Sequence, residues 1–312
     1  MINFRFHLVS LIAVFLALAL GVLMGATVID QAIVDGLNAR IDRVRDEANR
    51  QRAENSDLRA DLDRLGAYVG DTAGITVSGS LEGVPVAVVA IRKADNDAVK
   101  QVVTLAQMAG ARVPGVLWLE EGLVDESSRP QLAEVLGVPP DASSVRAALS
   151  TVLAQRLAVG ADPGAGDALA TLNDAGFVAF EPVGEGGSEG DLPLDAYPGS
   201  GTRVLLVDGS DSAPEMTELV VPLTRALVAD DVPVVVAETF HESDDGPDRG
   251  AQVAGVRGNE ELASTVSTVD DLELVEGAVA AVLALFDLGR GVVGHYGYGS
   301  GATRAVPEAA SA

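Results

Sequence analysis

Near its C-terminus the chain reads GVVGHYGYGSGA, Gly291 to Ala302, glycines interleaved with one imidazole and two phenols. Three chemistries suit such a stretch. They are a metal site on His295, a phosphate cradle on glycine amides, or an irregular backbone that seats side chains. A metal site needs partners. The other histidines are His7 and His241, and an acidic pair, Asp270-Asp271, sits in STVDDLE. His295, Asp270, Asp271 and His241 are therefore the candidate metal ligands if the fold gathers them. A phosphate cradle opens a helix, whereas this stretch follows a helical run, EGAVAAVLALFDLGRG. The third reading makes His295, Tyr296 and Tyr298 either a buried anchor or a contact for a partner.

Other chemistry is sparse. Gly209-Ser210-Asp211-Ser212 follows the apolar run VLLVDG, where α/β folds place ligand loops. It has neither the dinucleotide-binding nor the Walker glycine spacing. Asp208 and Asp211 are a hard-cation pair or, more simply, solvated loop carboxylates. Asp270 and Asp271 also read as the cap and first turn of a helix. No Gly-x-Ser-x-Gly elbow occurs. The expectation is a protein without a catalytic constellation and with no evident cofactor.

Composition narrows the partners. The net charge of the 312-residue chain is −25, which excludes a basic nucleic-acid surface. Cysteine is absent, so there is no disulfide framework and no thiolate metal site.

The elements that must position these residues come in three blocks. LVSLIAVFLALALGVLMGATVI, Leu8 to Ile29, carries no charge and is long enough to cross a hydrocarbon layer of about 30 Å. Residues 1–30 read as an uncleaved signal anchor, with Arg5 and the amino terminus on the cytoplasmic side and the rest outside. A cleaved signal peptide is the competing reading, though its apolar core is usually shorter. Gly21 and Gly25 form a small-residue face for helix pairing.

Residues 31–70 read as a parallel coiled coil. Val34, Ile41, Ala48, Asn55, Leu62 and Val69 fall at a, and Leu37, Val44, Gln51, Leu58 and Leu65 at d. Asn55 is a register and dimer device. Glu47 and Glu54 at g face Arg52 and Arg59 at e, as between parallel chains. The same spacing in a single helix packed on its own domain would want a wider stripe. Gly21, Gly25 and the seam residues Leu37, Ile41, Val44, Asn55, Leu58, Leu62 and Leu65 thus predict a homodimer. Gly66 and Gly70 are expected to stop the helix, and residues 71–83 to form a polar linker.

Residues 84–302 alternate apolar strand-like runs with helical ones. VPVAVVAI, RVPGVLWLEE, FVAFEPV, TRVLLVDG and VPVVVAE read as strands, which predicts an α/β domain with a largely parallel sheet. GEGGSEGDLPLDAYPGSG, 184–201, reads as a flexible acidic loop, and 303–312 as a disordered tail.

HLVSLIAVFLALALGVLMG, the coiled coil behind it, STVDDLE and LALFDLGRGVVGHYGYGSGA together resemble the actinobacterial copper transporter family. The resemblance runs through the whole chain in order, and its two ends are the specific parts. It implies an envelope membrane protein with a role in copper efflux or homeostasis, and copper as the possible ligand. The family's namesake is described as an outer-membrane pore. A corynebacterial member implies the alternative: a non-enzymatic, membrane-anchored dimeric scaffold acting with an envelope partner in cell separation, upstream of a peptidoglycan hydrolase.

Overall fold

The computed structural model describes residues 4–160, 167–183, 201–212, 214–242 and 246–308. The expected loop at 184–201 lies outside them except for Gly201, as do the last four residues of the expected tail. The chain divides into two compact units, 1–66 and 67–312.

In the first unit the chain is helical throughout from Phe4, and the helix, α1, continues to Val77. Phe4–Gly25 is long and apolar enough to cross a membrane, with mean hydropathy 2.7 and none of it buried. Leu37, Ile41, Val44, Leu58, Leu62 and Leu65 are all exposed. A Cβ added at Gly21 or Gly25 would meet nothing. The Asn55 amide donates to the Gln51 carbonyl at 3.0 Å.

The second unit begins with the last turns of α1. Gly66 and Gly70 do not end the helix, and residues 71–77 are helical rather than linker. A helical glycine costs about 1 kcal/mol, and burial outweighs it here: Ala73 and Val77 are buried against the domain. At Gly74 the helix runs close to α2: a Cβ there would lie 2.0 Å from the methyl of the exposed, flexible Met108 side chain, which would have to turn aside.

The elements that follow are β1 (Val86–Ile91), α2 (Asn96–Met108), β2 (Gly115–Leu119), α3 (Arg129–Leu136), α4 (Ala142–Val159), α5 (Ala168–Asp174) and β3 (Val178–Pro182). Then come β4 (Arg203–Gly209), α6 (Pro214–Ala229), β5 (Val234–Thr239), α7 (Ala254–Arg257), α8 (Glu260–Ala263), β6 (Ser267–Val269), α9 (Val275–Leu288) and β7 (His295–Tyr296). The strands form one sheet in the order β3-β2-β1-β4-β5-β6-β7. Every neighbouring pair is parallel except β2–β3, which is antiparallel.

Both faces of the sheet are covered. Ala87, Val89 and Ile91 of β1 join the core beneath α3, α4, α5 and α6. Val86, Val88 and Ala90 join the core beneath α2, α9 and the end of α1. Successive strand residues point to opposite faces, so a strand buried on both sides must be apolar at every position. This explains the unbroken apolar runs in the sequence. The chain builds outward from β1 on one side, then returns to start β4 on the other. The switch point between β1 and β4 is therefore the crevice where such sheets bind ligands.

Candidate functional site

The switch-point crevice is small. A cavity of about 180 Å³ is lined by Lys93, Asp95, Ser210, Asp211, Thr239 and His241, with Phe240 alongside. The N-terminus of α2, where a phosphate would sit in a dinucleotide-binding fold, is already capped. The Asp95 carboxylate accepts from the amides of Asp97 and Ala98 at 2.8 and 3.1 Å. Lys93 pairs with Glu121 at 2.6 Å. The Ser210 hydroxyl accepts from the His241 amide at 2.8 Å. Asp208 is fully buried and one of its oxygens accepts from the Gly209 amide, while Asp211 is exposed. The two aspartates do not work as a pair.

A denser polar cluster lies at the carboxyl ends of β5 and β6. It unites the two stretches singled out in the sequence, STVDDLE and GVVGHYGYGSGA. Its centre is the Arg257–Asp270 ion pair, 2.6 Å apart, with side chains 5% and 0% exposed. Asp270 spends its other oxygen on the amides of Tyr298 and Gly299 at 2.8 and 2.9 Å. Arg257 donates further to Thr268 Oγ1 at 2.8 Å and to the carbonyls of Tyr296 and Ser300, each at 2.9 Å. One guanidinium thus ties α7 to β6, to β7 and to the loop beyond it. Gly297 has φ of +115°, and a Cβ there would lie 2.2 Å from an Asp270 oxygen. Only glycine permits the loop to close over that carboxylate.

Asp270 and Asp271 are therefore not a helix cap. The helix α9 starts at Val275 with Leu274 in the capping position, and both aspartates are fully buried ahead of it. The pattern misled because a cap must sit at the helix boundary, and the chain inserts a turn between β6 and α9. Neither oxygen of Asp271 accepts a hydrogen bond. Burial, and then the neighbouring Asp270 and Glu273 carboxylates, push its carboxyl up to about 7. Glu238, at the end of β5, is also fully buried. It accepts from the amides of Gly250 and Gln252, each at 2.9 Å. Burial pushes it up to about 7 despite those bonds, which pull the other way. Arg249 completes the group. It pairs with Glu273, donates to the Asp270 carbonyl at 3.1 Å, and stacks 4.4 Å from the centre of the Phe240 ring.

His295 sits at the edge of this cluster with Nδ1 3.0 Å from Thr268 Oγ1. That hydroxyl already accepts from Arg257, so its own proton goes to Nδ1, which fixes the neutral Nε2–H tautomer. Burial first, and then the Arg257 charge, lower the imidazole's affinity for a proton. Tyr296 is buried, and its phenol is raised mainly by burial. Tyr298 is held by its amide, and its hydroxyl donates to Glu276 at 3.5 Å, while the residue is 60% exposed. Thr303 and Arg304 are also tied down. The Thr303 amide donates to the His295 carbonyl at 2.8 Å, and Arg304 bridges Tyr296. This part of the expected disordered tail is ordered against β7.

The four candidate metal ligands are not gathered. Asp270 is committed to Arg257 and two amides, His295 Nδ1 to Thr268, and His241 is exposed after β5. Among the described residues no three His, Cys, Asp or Glu side chains are grouped to hold a metal ion. Sequence reasoning missed Arg249, Arg257 and Glu238. The one local signal was Glu238 itself, a charge closing an apolar strand.

The chain matches the family model described as copper transport outer membrane protein, MctB, over residues 1–307. It belongs to the MctB family. Its relatives include the copper transporter MctB of Mycobacterium tuberculosis and that of Mycobacterium bovis, each 27% identical over 320 residues. These alignments cover 97% of this chain and 98% of theirs. The copper transporter MctB of Mycobacterium leprae is 28% identical over 324 residues. The family match therefore takes in the apolar helix, the heptad stripe and the α/β domain together.

Proposed function

We propose that this MctB-family chain acts in copper efflux or copper homeostasis at the cell envelope. Residues 1–30 would anchor it in the membrane, with a cytoplasmic N-terminus and an extracytoplasmic α/β domain. Two copies would pair in parallel through Gly21, Gly25 and the seam from Leu37 to Leu65. The observation that carries the copper role is the family match over residues 1–307, with relatives named copper transporters. Copper is the cargo in this reading. Copper(I) prefers soft thioether and thiolate donors. This chain has no cysteine, and its four methionines, Met1, Met24, Met108 and Met216, form no Met-x-x-Met motif. A copper(I) donor set would therefore be completed by a second copy or a partner.

A second reading makes the chain a non-enzymatic dimeric scaffold for an envelope partner in cell separation. The exposed seam on α1 and the exposed ring of Tyr298 favour it. One experiment separates the two: a deletion strain scored for copper tolerance and for cell chaining. Loss of tolerance that the intact gene restores supports the copper role. Unchanged tolerance with chained cells supports the scaffold and sinks the copper role.

A further inference from the structure

The cavity at the switch point is held in shape by its own walls. The ends of β1, β4 and β5 meet there, and hydrogen bonds tie together the loops that leave them. The Asp95 amide donates to Thr239 Oγ1 at 3.1 Å, the Ser210 amide to the Thr239 carbonyl at 3.0 Å, and the His241 amide to Ser210 Oγ at 2.8 Å. The backbones close tightly beside it. A Cβ on Gly209 would lie 2.8 Å from Ala94 Cα and 2.9 Å from Thr239 Oγ1. Lys93, which lines the cavity, has φ of +75°, in the left-handed region that a lysine rarely adopts. Strain of this kind gathers at binding sites.

The lining selects the ligand. Phosphate is disfavoured: Asp95 already fills the N-terminus of α2, Lys93 is paired with Glu121, and the carboxylates of Asp95 and Asp211 border the cavity. A metal ion finds no ligand set, because among the described residues no three His, Cys, Asp or Glu side chains are grouped to hold one. A neutral molecule rich in hydroxyls suits what is there. Both amides on Asp95 go to Oδ1, which leaves Oδ2 to accept a hydroxyl. Asp211 is exposed and adds a second carboxylate acceptor. Ser210 Oγ accepts from an amide and keeps its own proton to donate. Phe240 offers an apolar ring to the C–H side of the ligand. A cavity of about 150 Å³ encloses one benzene ring, so about 180 Å³ has room for one six-membered ring. We propose that this cavity is a binding site for a single neutral sugar ring, a hexopyranose held through its hydroxyls by Asp95, Asp211 and Ser210. The site is independent of any copper role.

Saturation-transfer NMR on the full chain, in micelles of a detergent without a sugar head group, tests it. The probes are glucose, galactose, mannose and N-acetylglucosamine, with cyclohexanol and glucose 6-phosphate as controls. At least one of the four sugars should bind with millimolar affinity, and both controls about tenfold more weakly or worse. Asp95→Asn keeps a capping side chain on α2. That variant and Asp211→Asn should each weaken binding about tenfold or more, as loss of a charged acceptor does, at an unchanged melting temperature. The methyl glycoside of the sugar that binds separates two sources. Retained binding points to the end of a glycan chain and lost binding to a free sugar, and either supports the site. Signal from none of the four sugars would overturn the proposal. So would a sugar bound equally well by both variants, or tighter binding of glucose 6-phosphate. If one variant does not fold, the other and the unmodified chain still decide.

Discussion

Replacing Arg257 tests whether the C-terminal stretch is an anchor. Arg257→Met keeps the aliphatic stem and removes the guanidinium. Four hydrogen-bonding partners lose their donor: Thr268, Asp270, Ser300 and the Tyr296 carbonyl. More important, Asp270 remains as a buried charge, since its side chain is 0% exposed. Removing one partner of a buried ion pair costs about 3–5 kcal/mol. For a unit the size of residues 67–312, each kcal/mol moves the melting temperature by about 2–4 °C. The expected fall is roughly 10 °C, read by thermal unfolding of the full chain in micelles. Adding Asp270→Asn removes the stranded charge, so the double variant should melt above Arg257→Met alone, a coupling that independent sites would not show. Arg257→Met melting within about 2 °C of the unmodified protein would refute this account of the anchor, because the loss would be under ~1 kcal/mol.

Asp271→Asn should raise the melting temperature at pH 8 and leave it nearly unchanged near pH 3, below the ordinary carboxyl range. The raised carboxyl costs stability only above its ordinary range, with a ceiling of about 4 kcal/mol for three units; an equal shift at both pH values would contradict the sign. Gly277→Ala should destabilise, although alanine normally gains about 1 kcal/mol in a helix. Its Cβ would lie 1.9 Å from the Asp271 carbonyl oxygen, and overpacking of this kind costs about 1–3 kcal/mol. His295→Ala should lower the melting temperature by a few degrees through lost buried hydrogen bonds of about 1–3 kcal/mol, while copper(II) titration of the full chain stays unchanged. Loss of copper binding would reverse the assignment of His295 as an anchor. Asn55→Leu should broaden the oligomer distribution seen by crosslinking, and a strictly monomeric unmodified chain would refute the pairing.

Sequence alone determined the pattern features. A long uncharged run, a heptad stripe and unbroken β-branched runs each report a local period, and period follows from whether a face is buried. That is why β1, β4 and β5 were legible and why α4 lies where its capping Asp141 and terminal Gly160 put it. Glycines at 66 and 70 misled, because a helix end is settled by what its last turns pack against, and Ala73 and Val77 pack on the domain. The site was half legible. His295, Tyr296, Tyr298, Asp270 and Asp271 stood out by type, but their roles depend on a residue far from them in the chain. Only the parallel sheet, by setting the ends of β5, β6 and β7 side by side, brings Arg257 onto Asp270 and Glu238 beneath Gly250. Burial gives those charges their meaning. In solvent Asp270 and Asp271 would be ordinary carboxylates, and in the fold one is an ion pair's partner and the other is left without a donor.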